Sequence, residues 1–307
     1  MAMNRIEGVA ALPHAQTDAD VPVARVFEVS SAPSGDDPIV TQGVPSTVLD
    51  ANGALPPGAL CVLADHALGR GLSRVLDHDQ RMVTSHMHLE LVRPPWPGIT
   101  HLVGWSDEIH TTPGSGFARG RIATADGILV ALISARFAVL ELGSSQGGMV
   151  ADVEPVLRDG GTLADAHPWT TAPVDVLLGT RIRREASGRV ELEFRAAPAL
   201  ANERAGLHGG IGALMGERAT AIALRSASPD EHQFLPVELR IVFLRPVPAI
   251  GQPLRSDAEV IFLGRSTAAT TARLYRADGK IAVQVDAVHT TAAVHGYPHR
   301  SERPATP

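Results

Sequence analysis

The chain has 307 residues, of which 44% are apolar, and a formal net charge of -6 at pH 7. This length gives room for about two ordinary domains, with enough apolar residues to fill a core in each. The basic residues are scattered rather than clustered, which argues against a nucleic-acid partner. The single cysteine, Cys61, cannot form an internal disulfide, and no stretch resembles a signal peptide or a membrane span. Composition therefore predicts a cytoplasmic protein that has no membrane partner.

Three stretches without helix or strand periodicity predict the domain limits. Residues 1–21 mix proline, histidine and aspartate, and residues 296–307 are polar and proline-rich, so both predict tails. Residues 143–169 are rich in glycine, serine, aspartate and proline and predict a linker. This linker contains a G-x-S-x-G pattern at residues 143–147, but it lacks the following helix that a hydrolase nucleophile requires. We therefore predict one domain at residues 22–142 and a second at residues 170–295.

The two predicted domains share an internal repeat with a constant separation of 152 residues. An acid, an Arg-Pro pair, an Asp-Gly pair and the residues before a predicted helix all recur at this separation. Several matches at one offset predict two copies of the same fold. The matching segments are Pro56-Pro57-Gly58 with His208-Gly209-Gly210, Asp65 with Glu217, Arg93-Pro94 with Arg245-Pro246, and Asp126-Gly127 with Asp278-Gly279.

Each half has the same predicted order of elements. It starts with two strand regions, continues with one long apolar helix and ends with strands alone. An Asp-Gly turn joins the last two strands of each half, which is a strong signal for an antiparallel hairpin. The first half comprises strand regions Val23–Ser30 and Ile39–Gln42, a helix near Pro57–Leu76, and strands near Met87–Leu91, Phe117–Ala123 and Ile128–Leu140. The second comprises Val176–Arg183, Val190–Arg195, a helix after His208, and strands near Leu239–Phe243, Ala258–Ile261, Thr267–Tyr275 and Ile281–Thr290.

The segment from His208 to Glu217 has the character of a functional helix start. Two glycines follow the histidine, and the first amides of a helix have no helical acceptor, so they and the helix dipole favour an anion there. Glu217 lies on a helix that is apolar on most sides, where an acid without a function is unusual. Asp65 occupies the equivalent place in the first half.

These residues resemble the hotdog-fold acyl-CoA thioesterases, in particular the phenylacetyl-CoA type. In that branch His-Gly-Gly opens the central helix and a carboxylate follows nine residues after the histidine, as His208 and Glu217 do here. The resemblance covers nearly all of the second half, whereas the first half has Pro56 and Pro57 in place of His-Gly. It implies an α+β protein of two fused hotdog folds, each a long central helix wrapped by a mostly antiparallel sheet. One chain would then correspond to a dimer of single hotdogs.

The resemblance further implies that each active site lies between the two halves and combines a helix start from one with a carboxylate from the other. Thioester hydrolysis needs a donor for the developing oxyanion and a carboxylate that acts as base or nucleophile. In site one, Asp65 is the carboxylate, the Gly209 N–H is the donor, Asn202 orients water or substrate, and His208, Gly210 and Thr84 contact the substrate. Site two consists of Asp50, Pro57 and Glu217.

Two differences favour site one as the working site. Pro57 has no N–H, and loss of one oxyanion donor costs roughly 2.7 to 4 kcal/mol of transition-state stabilisation. Site two is therefore predicted to be degenerate. The phenylacetyl-type enzymes carry a serine on the strand after the helix, and Ser85 is the candidate here. Because Ser85 shares strand parity with Met87, it is expected to face the helix and assist Asp65.

Structural interpretations of the same residues stay open. Asp65 could pair with His66 or Arg70, and Glu217 with Arg218. His208 could only cap its helix, and Asn202 could be an ordinary turn residue. The remaining candidates are His86, His88 and Glu90, which alternate on one strand as metal ligands could, but the spacing implies no further ligand, so no metal is predicted.

The activity implied by the resemblance is hydrolysis of an acyl-CoA to free acid and coenzyme A. It requires no cofactor, because coenzyme A is part of the substrate. The expected partner is this small molecule, and homo-oligomers of double-hotdog units remain open. Two alternatives are a non-catalytic acyl-CoA binding protein, if both sites have decayed, and a hotdog dehydratase or hydratase, which would favour an Asp/His pair in the site.

Overall fold

The computed structural model describes residues 16–17, 21–31, 39–141, 167–228 and 234–291, which form four α-helices and thirteen β-strands. The helices are α1 (Pro22–Val26), α2 (Leu60–Ser73), α3 (Pro173–Leu178) and α4 (Gly209–Ala227). The strands of the first half are β1 (Gln16–Thr17), β2 (Val29–Ser31), β3 (Val40–Gly43), β4 (Gln80–Leu91), β5 (His101–Thr112), β6 (Ser115–Thr124) and β7 (Leu129–Glu141). Those of the second are β8 (Arg181–Ala186), β9 (Arg189–Arg195), β10 (Phe234–Phe243), β11 (Pro253–Leu263), β12 (Thr267–Tyr275) and β13 (Ile281–Thr291).

All the described strands belong to one sheet with antiparallel neighbours. Its order is β1-β2-β3-β5-β6-β7-β4-β10-β13-β12-β11-β9-β8. The first half therefore supplies one side and the second half the other, and the β4–β10 pair joins them. His88 and Arg240 are opposite each other at the centre of this pair and are 152 residues apart, so the pairing is symmetric about them. The predicted α+β architecture of two fused hotdog folds is confirmed.

The two halves correspond element by element at the predicted separation. Helix α2 is preceded by a 3-10 turn at Pro57–Ala59, so the helical segment of the first half starts at the position equivalent to Gly209. Asp126-Gly127 and Asp278-Gly279 lie in the turns between β6 and β7 and between β12 and β13, where both glycines have positive φ. Of the predicted tails and linker, most residues lie outside the described ranges, so the domain limits stay predictions.

The core lies between each central helix and its sheet. Helix α2 packs on strands of the first half, α4 packs on strands of the second half, and the two helices contact each other. Both helices bury apolar residues around most of their circumference, as the sequence predicts for a helix wrapped by a sheet. Among the described residues, no helix is long and apolar enough to cross a membrane.

The start of each half differs from the prediction. The predicted strand regions Val23–Ser30 and Val176–Arg183 each overlap a short helix, α1 or α3, which is followed by a strand. A proline at the first helical position begins both helices, because its fixed φ suits a helix and its missing N–H needs no partner there. Strand β5 was not predicted. It contains polar and apolar residues without regular alternation, including a register shift between Ser106 and Glu108.

The two central helices cross at glycines near their starts. A methyl group on Gly210 would lie 2.5 Å from the Cα and N atoms of Val62, and one on Gly58 would lie 2.8 Å from the Cα of Leu214. Gly58 and Gly210 are equivalent, as are Val62 and Leu214, so the crossing is symmetric. Only a residue without a side chain allows backbones to approach this closely.

We expect Gly210→Ala to lower the free energy of unfolding by about 2 kcal/mol or more, because the added methyl meets rigid helix backbone. Gly69→Ala is the matched control within α2. Its methyl would meet only the flexible Met82 Cε, at 3.3 Å. Alanine also favours a helix by up to about 1 kcal/mol over glycine. Urea unfolding of both variants measures the difference, and equal stability of Gly210→Ala and wild type would contradict the tight crossing.

Candidate functional site

The helix crossing brings Asp65 of the first half to the start of α4 in the second. A methyl group on Gly209 would lie 2.8 Å from Asp65 Oδ2, so the carboxylate is in contact with the helix start. The aromatic ring of Phe243 borders the same place, with Cε1 3.6 Å from that methyl position. The side chain of Asp65 is only 13% exposed. The structure therefore brings together the carboxylate and the glycine that were assigned to site one.

His208 caps α4 and also faces Asp65. Its Nδ1 accepts a hydrogen bond from the Gly210 N–H at 3.1 Å, so in the neutral ring the proton is on Nε2. Nε2 lies 3.5 Å from Asp65 Oδ2. Burial, together with the charge that His66 carries when protonated, holds the pKa of His208 well below its ordinary value. His208 is therefore a neutral imidazole that caps α4 and also lies beside the acid.

His66 is a further residue of the site, which the sequence suggested only as a structural partner of Asp65. Its ring stacks on the ring of His208, with centroids 4.6 Å apart and an interplanar angle of 17°. Its Nδ1 donates to the Val62 carbonyl at 2.9 Å, since that carbonyl can only accept. The only sequence signal for His66 is its position next to Asp65.

Thr84, and not Ser85, holds the Asp65 carboxylate. The Thr84 hydroxyl donates to Asp65 Oδ1 at 2.8 Å. Ser85 instead donates to the Arg136 carbonyl at 3.0 Å, so the predicted assistance of Asp65 by Ser85 is wrong in its geometry. The reason is a β-bulge between Thr84 and His86, which adds one residue to the strand. The alternation of side chains between the two faces is shifted by one residue at the bulge. Counting back by twos from Met87 therefore selects Ser85, although Thr84 is the residue that faces the helix.

The pKa of Asp65 is raised above its ordinary value, mainly because the carboxyl is buried. The hydrogen bond from Thr84 lowers this pKa, as do the charge on His66 and the Gly210 N–H, whereas nearby Glu203 raises it. Burial prevails, so the group holds its proton to a higher pH than a solvated aspartate. A raised pKa brings a carboxylate closer to the strength of an effective general base.

Asn202 closes the loop that leads into α4. Its Oδ1 accepts from the backbone N–H groups of Arg204, at 2.9 Å, and Gly206, at 3.0 Å. Asp50 does the same in the first half, accepting from Asn52 at 2.8 Å and Ala54 at 2.9 Å. Both side chains therefore act as turn residues, which was the structural alternative for Asn202. The Nδ2 group of Asn202 makes no hydrogen bond to the residues that the structure describes, so its role toward water or substrate stays a prediction.

Site two has the same layout with different chemistry. Glu217 is 3% exposed and lies against the start of the first half's helical segment, with its Cβ 2.9 Å from a methyl position on Gly58. Its Oε2 is buried and has no hydrogen-bond partner among the described residues. Burial raises its pKa to about 7, while Arg218 acts in the opposite direction. Arg218 makes its ion pair with Asp175, not with Glu217, at 2.8 Å between Nη2 and Oδ2.

The equivalent positions show what site two lacks. Pro57 stands where site one has Gly209, and it supplies no N–H. Pro236 stands where site one has Thr84, so no hydroxyl is available to the carboxyl from that position. Strand β10 has the equivalent bulge, between Pro236 and Glu238, so its backbone follows the same course as that of β4. The difference between the sites is therefore one of side chains rather than of backbone.

The alternating strand residues His86, His88 and Glu90 lie outside both sites. His88 Nε2 is 2.8 Å from Glu238 Oε1 across the central strand pair. Within the described ranges, no three histidine, cysteine or acidic side chains are grouped as metal ligands would be. This face of the sheet carries an ion-pair cluster.

Residues 206–283 match the sequence profile of the thioesterase superfamily, a segment that includes the start of α4, Glu217 and most of the second-half sheet. Comparison with curated proteins gives no match.

Three solved structures are similar over most of their length. An acyl-CoA thioesterase II (TesB2) from Mycobacterium marinum is 15% identical, with a TM-score of 0.54, and the match covers 87% of this chain and 94% of that one. A conserved protein of unknown function with a hot dog fold from Alicyclobacillus acidocaldarius is 14% identical, with a TM-score of 0.59 and coverages of 84% and 94%. A TesB protein from Mycobacterium avium subsp. paratuberculosis is 12% identical, with a TM-score of 0.54 and coverages of 85% and 95%. At such low sequence identity, the structural similarity shows that the fold is shared. The chain is therefore a double hotdog whose second half contains a segment similar to the thioesterase superfamily profile, as the resemblance of the sequence implied.

Proposed function

We propose that this protein is an acyl-CoA thioesterase that works at site one. The observation that carries the proposal is the contact between Asp65 of one half and the Gly209 helix start of the other. The match to the thioesterase superfamily supports the reaction class, and the TesB-type fold neighbours support a thioester of coenzyme A as the substrate. The acid lies beside the helix start that carries the amide, as hydrolysis of a carbonyl group requires.

The oxyanion donor is the Gly209 N–H. Among the described residues it has no hydrogen-bond acceptor, whereas the next amide, that of Gly210, is held by His208 Nδ1. An amide at a helix start is further favoured by the helix dipole as negative charge develops on the thioester oxygen. Gly209 has no side chain, so the carbonyl group can approach the amide closely.

Asp65 supplies the second function, as a general base toward water or as a nucleophile toward the carbonyl carbon. Thr84 donates a hydrogen bond to one carboxylate oxygen, and His208 Nε2 lies 3.5 Å from the other. The hydrogen bond from Thr84 limits the motion that would otherwise separate the carboxylate from the reacting carbon. In the first route, Asp65 takes a proton from water as the water attacks, and the thiolate of coenzyme A then leaves.

A hydratase or dehydratase is the second candidate, favoured by one observation. Asp65 and His208 form the Asp/His pair that such chemistry would use, at 3.5 Å. His208 is committed through Nδ1 to the Gly210 amide, which supports a positioning role over proton transfer through both ring nitrogens. Loss of enoyl absorbance from an enoyl-CoA, compared with thiol release from the same compound, separates the two reactions.

We expect Asp65→Asn to lower thiol release from acyl-CoA substrates by about a hundredfold or more, because the base or nucleophile is lost. Glu217→Gln is the matched control, since it makes the same change in the equivalent acid of site two. It should retain turnover close to that of wild type. Measurement of kcat for both variants decides the site, and the reverse result would assign activity to site two. Wild-type binding of an acyl-CoA without thiol release over hours would support the non-catalytic alternative.

Thr84→Val should move the acidic limb of the pH profile of kcat/KM to higher pH. The Thr84 hydroxyl stabilises the ionised form of Asp65, so its removal raises the pKa of that carboxyl further. Ser85→Ala tests the neighbouring hydroxyl, which bonds Arg136 instead, and it should leave the limb in place. A shift in Ser85→Ala and none in Thr84→Val would overturn the assignment of the hydroxyl.

Glu217→Gln should also change the pH dependence of stability. The pKa of Glu217 is about 7 in the folded protein and 4.5 ordinarily, so the folded state binds the proton more tightly. The stability that this protonation supplies is complete below about pH 4.5 and is lost as pH rises through about 7. Because glutamine does not titrate, the free energy of unfolding of the variant should rise by roughly 3 kcal/mol relative to that of wild type between low and high pH. Urea unfolding at about pH 5 and about pH 8 tests this, and a constant difference would contradict it.

A further inference from the structure

Arg204 lies at the gap where the two central strands separate. The β4–β10 pairing ends at His86 and Val242, and beyond this point β4 continues toward Gln80 paired with β7 on its other side only. The loop before α4 reaches this part of β4 from the second half. There the Arg204 Nη1 donates to the Met82 carbonyl at 3.3 Å. Arg204 therefore bridges the two halves beside site one.

The bridge is close to the reacting groups but outside them. Met82 is two residues before Thr84 on β4, a distance of about 7 Å along an extended strand. The Met82 side chain faces the helix, with its Cε 3.3 Å from a methyl position on Gly69, one turn after Asp65. The loop that carries Arg204 is the one closed by Asn202, and it ends at His208. A substrate with its thioester at Asp65 and Gly209 would pass this guanidinium on its way to solvent.

The guanidinium has donors left for an anion. The Arg204 side chain is 50% exposed, and its contact with Glu203 is 3.7 Å, between two side chains that are both half exposed. Such a pair holds the charge only weakly. Arginine carries five N–H donors, and its fork suits bidentate contact with a phosphate.

Site two lacks this charge. The position equivalent to Arg204 is Asn52, in the loop closed by Asp50. The two loops have the same backbone hydrogen bonds, with the N–H of residue 50 or 202 donating to the carbonyl of residue 54 or 206. The difference is therefore confined to side chains. Arg204 therefore lies beside site one, which also has the Gly209 amide and the Thr84 hydroxyl.

We infer that Arg204 binds a phosphate of the group that carries the acyl thioester. This rests on the proposed thioesterase function. The chemistry is that of a phosphopantetheine arm, with the thioester at Asp65 and the phosphate at the outer edge of the gap. Both coenzyme A and an acyl carrier protein present such an arm, and the nucleotide of coenzyme A adds further phosphates. Arg204 thereby discriminates carriers with a phosphate from those without one.

The test uses three thioesters with the same acyl group, joined to pantetheine, to 4'-phosphopantetheine and to coenzyme A. Arg204→Gln should raise KM for the coenzyme A thioester by about tenfold or more with little change in kcat, because a charge-assisted hydrogen bond is lost. The variant should leave the pantetheine thioester unaffected. Arg184→Gln is the control for net charge, since Arg184 lies on edge strand β8, is 86% exposed and also has a glutamate neighbour, at 3.8 Å.

The phosphopantetheine thioester identifies the phosphate. An equal rise of KM for this compound and for the coenzyme A thioester assigns Arg204 to the first phosphate, which a carrier protein shares. A rise for the coenzyme A thioester alone assigns it to the nucleotide phosphates. Equal effects on all three thioesters would show that Arg204 acts only through its contact with Met82, and no effect on any of them would also overturn the inference.

Equilibrium binding separates this inference from the proposed function. Calorimetry compares coenzyme A with pantetheine for the wild-type protein and for Arg204→Gln, and it needs no turnover. Preferential binding of coenzyme A that is lost in Arg204→Gln supports the phosphate contact even if no thioester is hydrolysed, in which case only the proposed activity fails. Hydrolysis of thioesters by a wild-type protein that binds coenzyme A no better than pantetheine would leave the activity and reject the contact.

Discussion

The close crossing of α2 and α4 at two glycines is the constraint on which the rest of the structure depends. Gly210 lies on the backbone of Val62, and Gly58 lies on that of Leu214. Asp65 lies three residues after Val62, and Glu217 lies three residues after Leu214, which is about one helical turn in each case. Each acid is therefore positioned at the helix start of the other half. A side chain at either glycine would push the helices apart and move each acid away from the helix start that it faces. Two apolar helices and a shared sheet supply the stability, but the glycines set the distance at which chemistry becomes feasible.

The backbones of the two halves are symmetric, whereas the side chains at the two sites differ. Each half has the Asx-type loop, the helix start, the buried acid and the bulged strand. In site one these positions carry an amide, a hydroxyl and a cation, and in site two they carry Pro57, Pro236 and Asn52. Glu217 nevertheless stays buried with an unpartnered oxygen. A buried carboxylate with an unpartnered oxygen costs stability when it ionises.

The repeat made most of the fold and the contact between halves predictable. An offset of 152 residues matched Asp65 with Glu217, and the resemblance then implied that each acid lies at the helix start of the other half, where the structure places Asp65 beside Gly209. Ser85 was misplaced because parity assumes an unbroken strand, and a bulge leaves no clear mark in a single sequence. The stacking of His66 on His208 and the reach of Arg204 to Met82 depend on which side chains meet across the two halves. Local periodicity contains no information of that kind.

The β-bulge occurs in both halves of the chain. It interrupts β4 after Thr84 and β10 after Pro236, at the same place in both copies. An extra residue at one site is a discrete event, and its presence in both copies is most simply inherited from a single ancestral unit that existed before the gene duplicated. That unit would have paired with an identical copy and formed two equal sites. After fusion the two sites could diverge, and site two now has Pro57 and Pro236 where site one has Gly209 and Thr84.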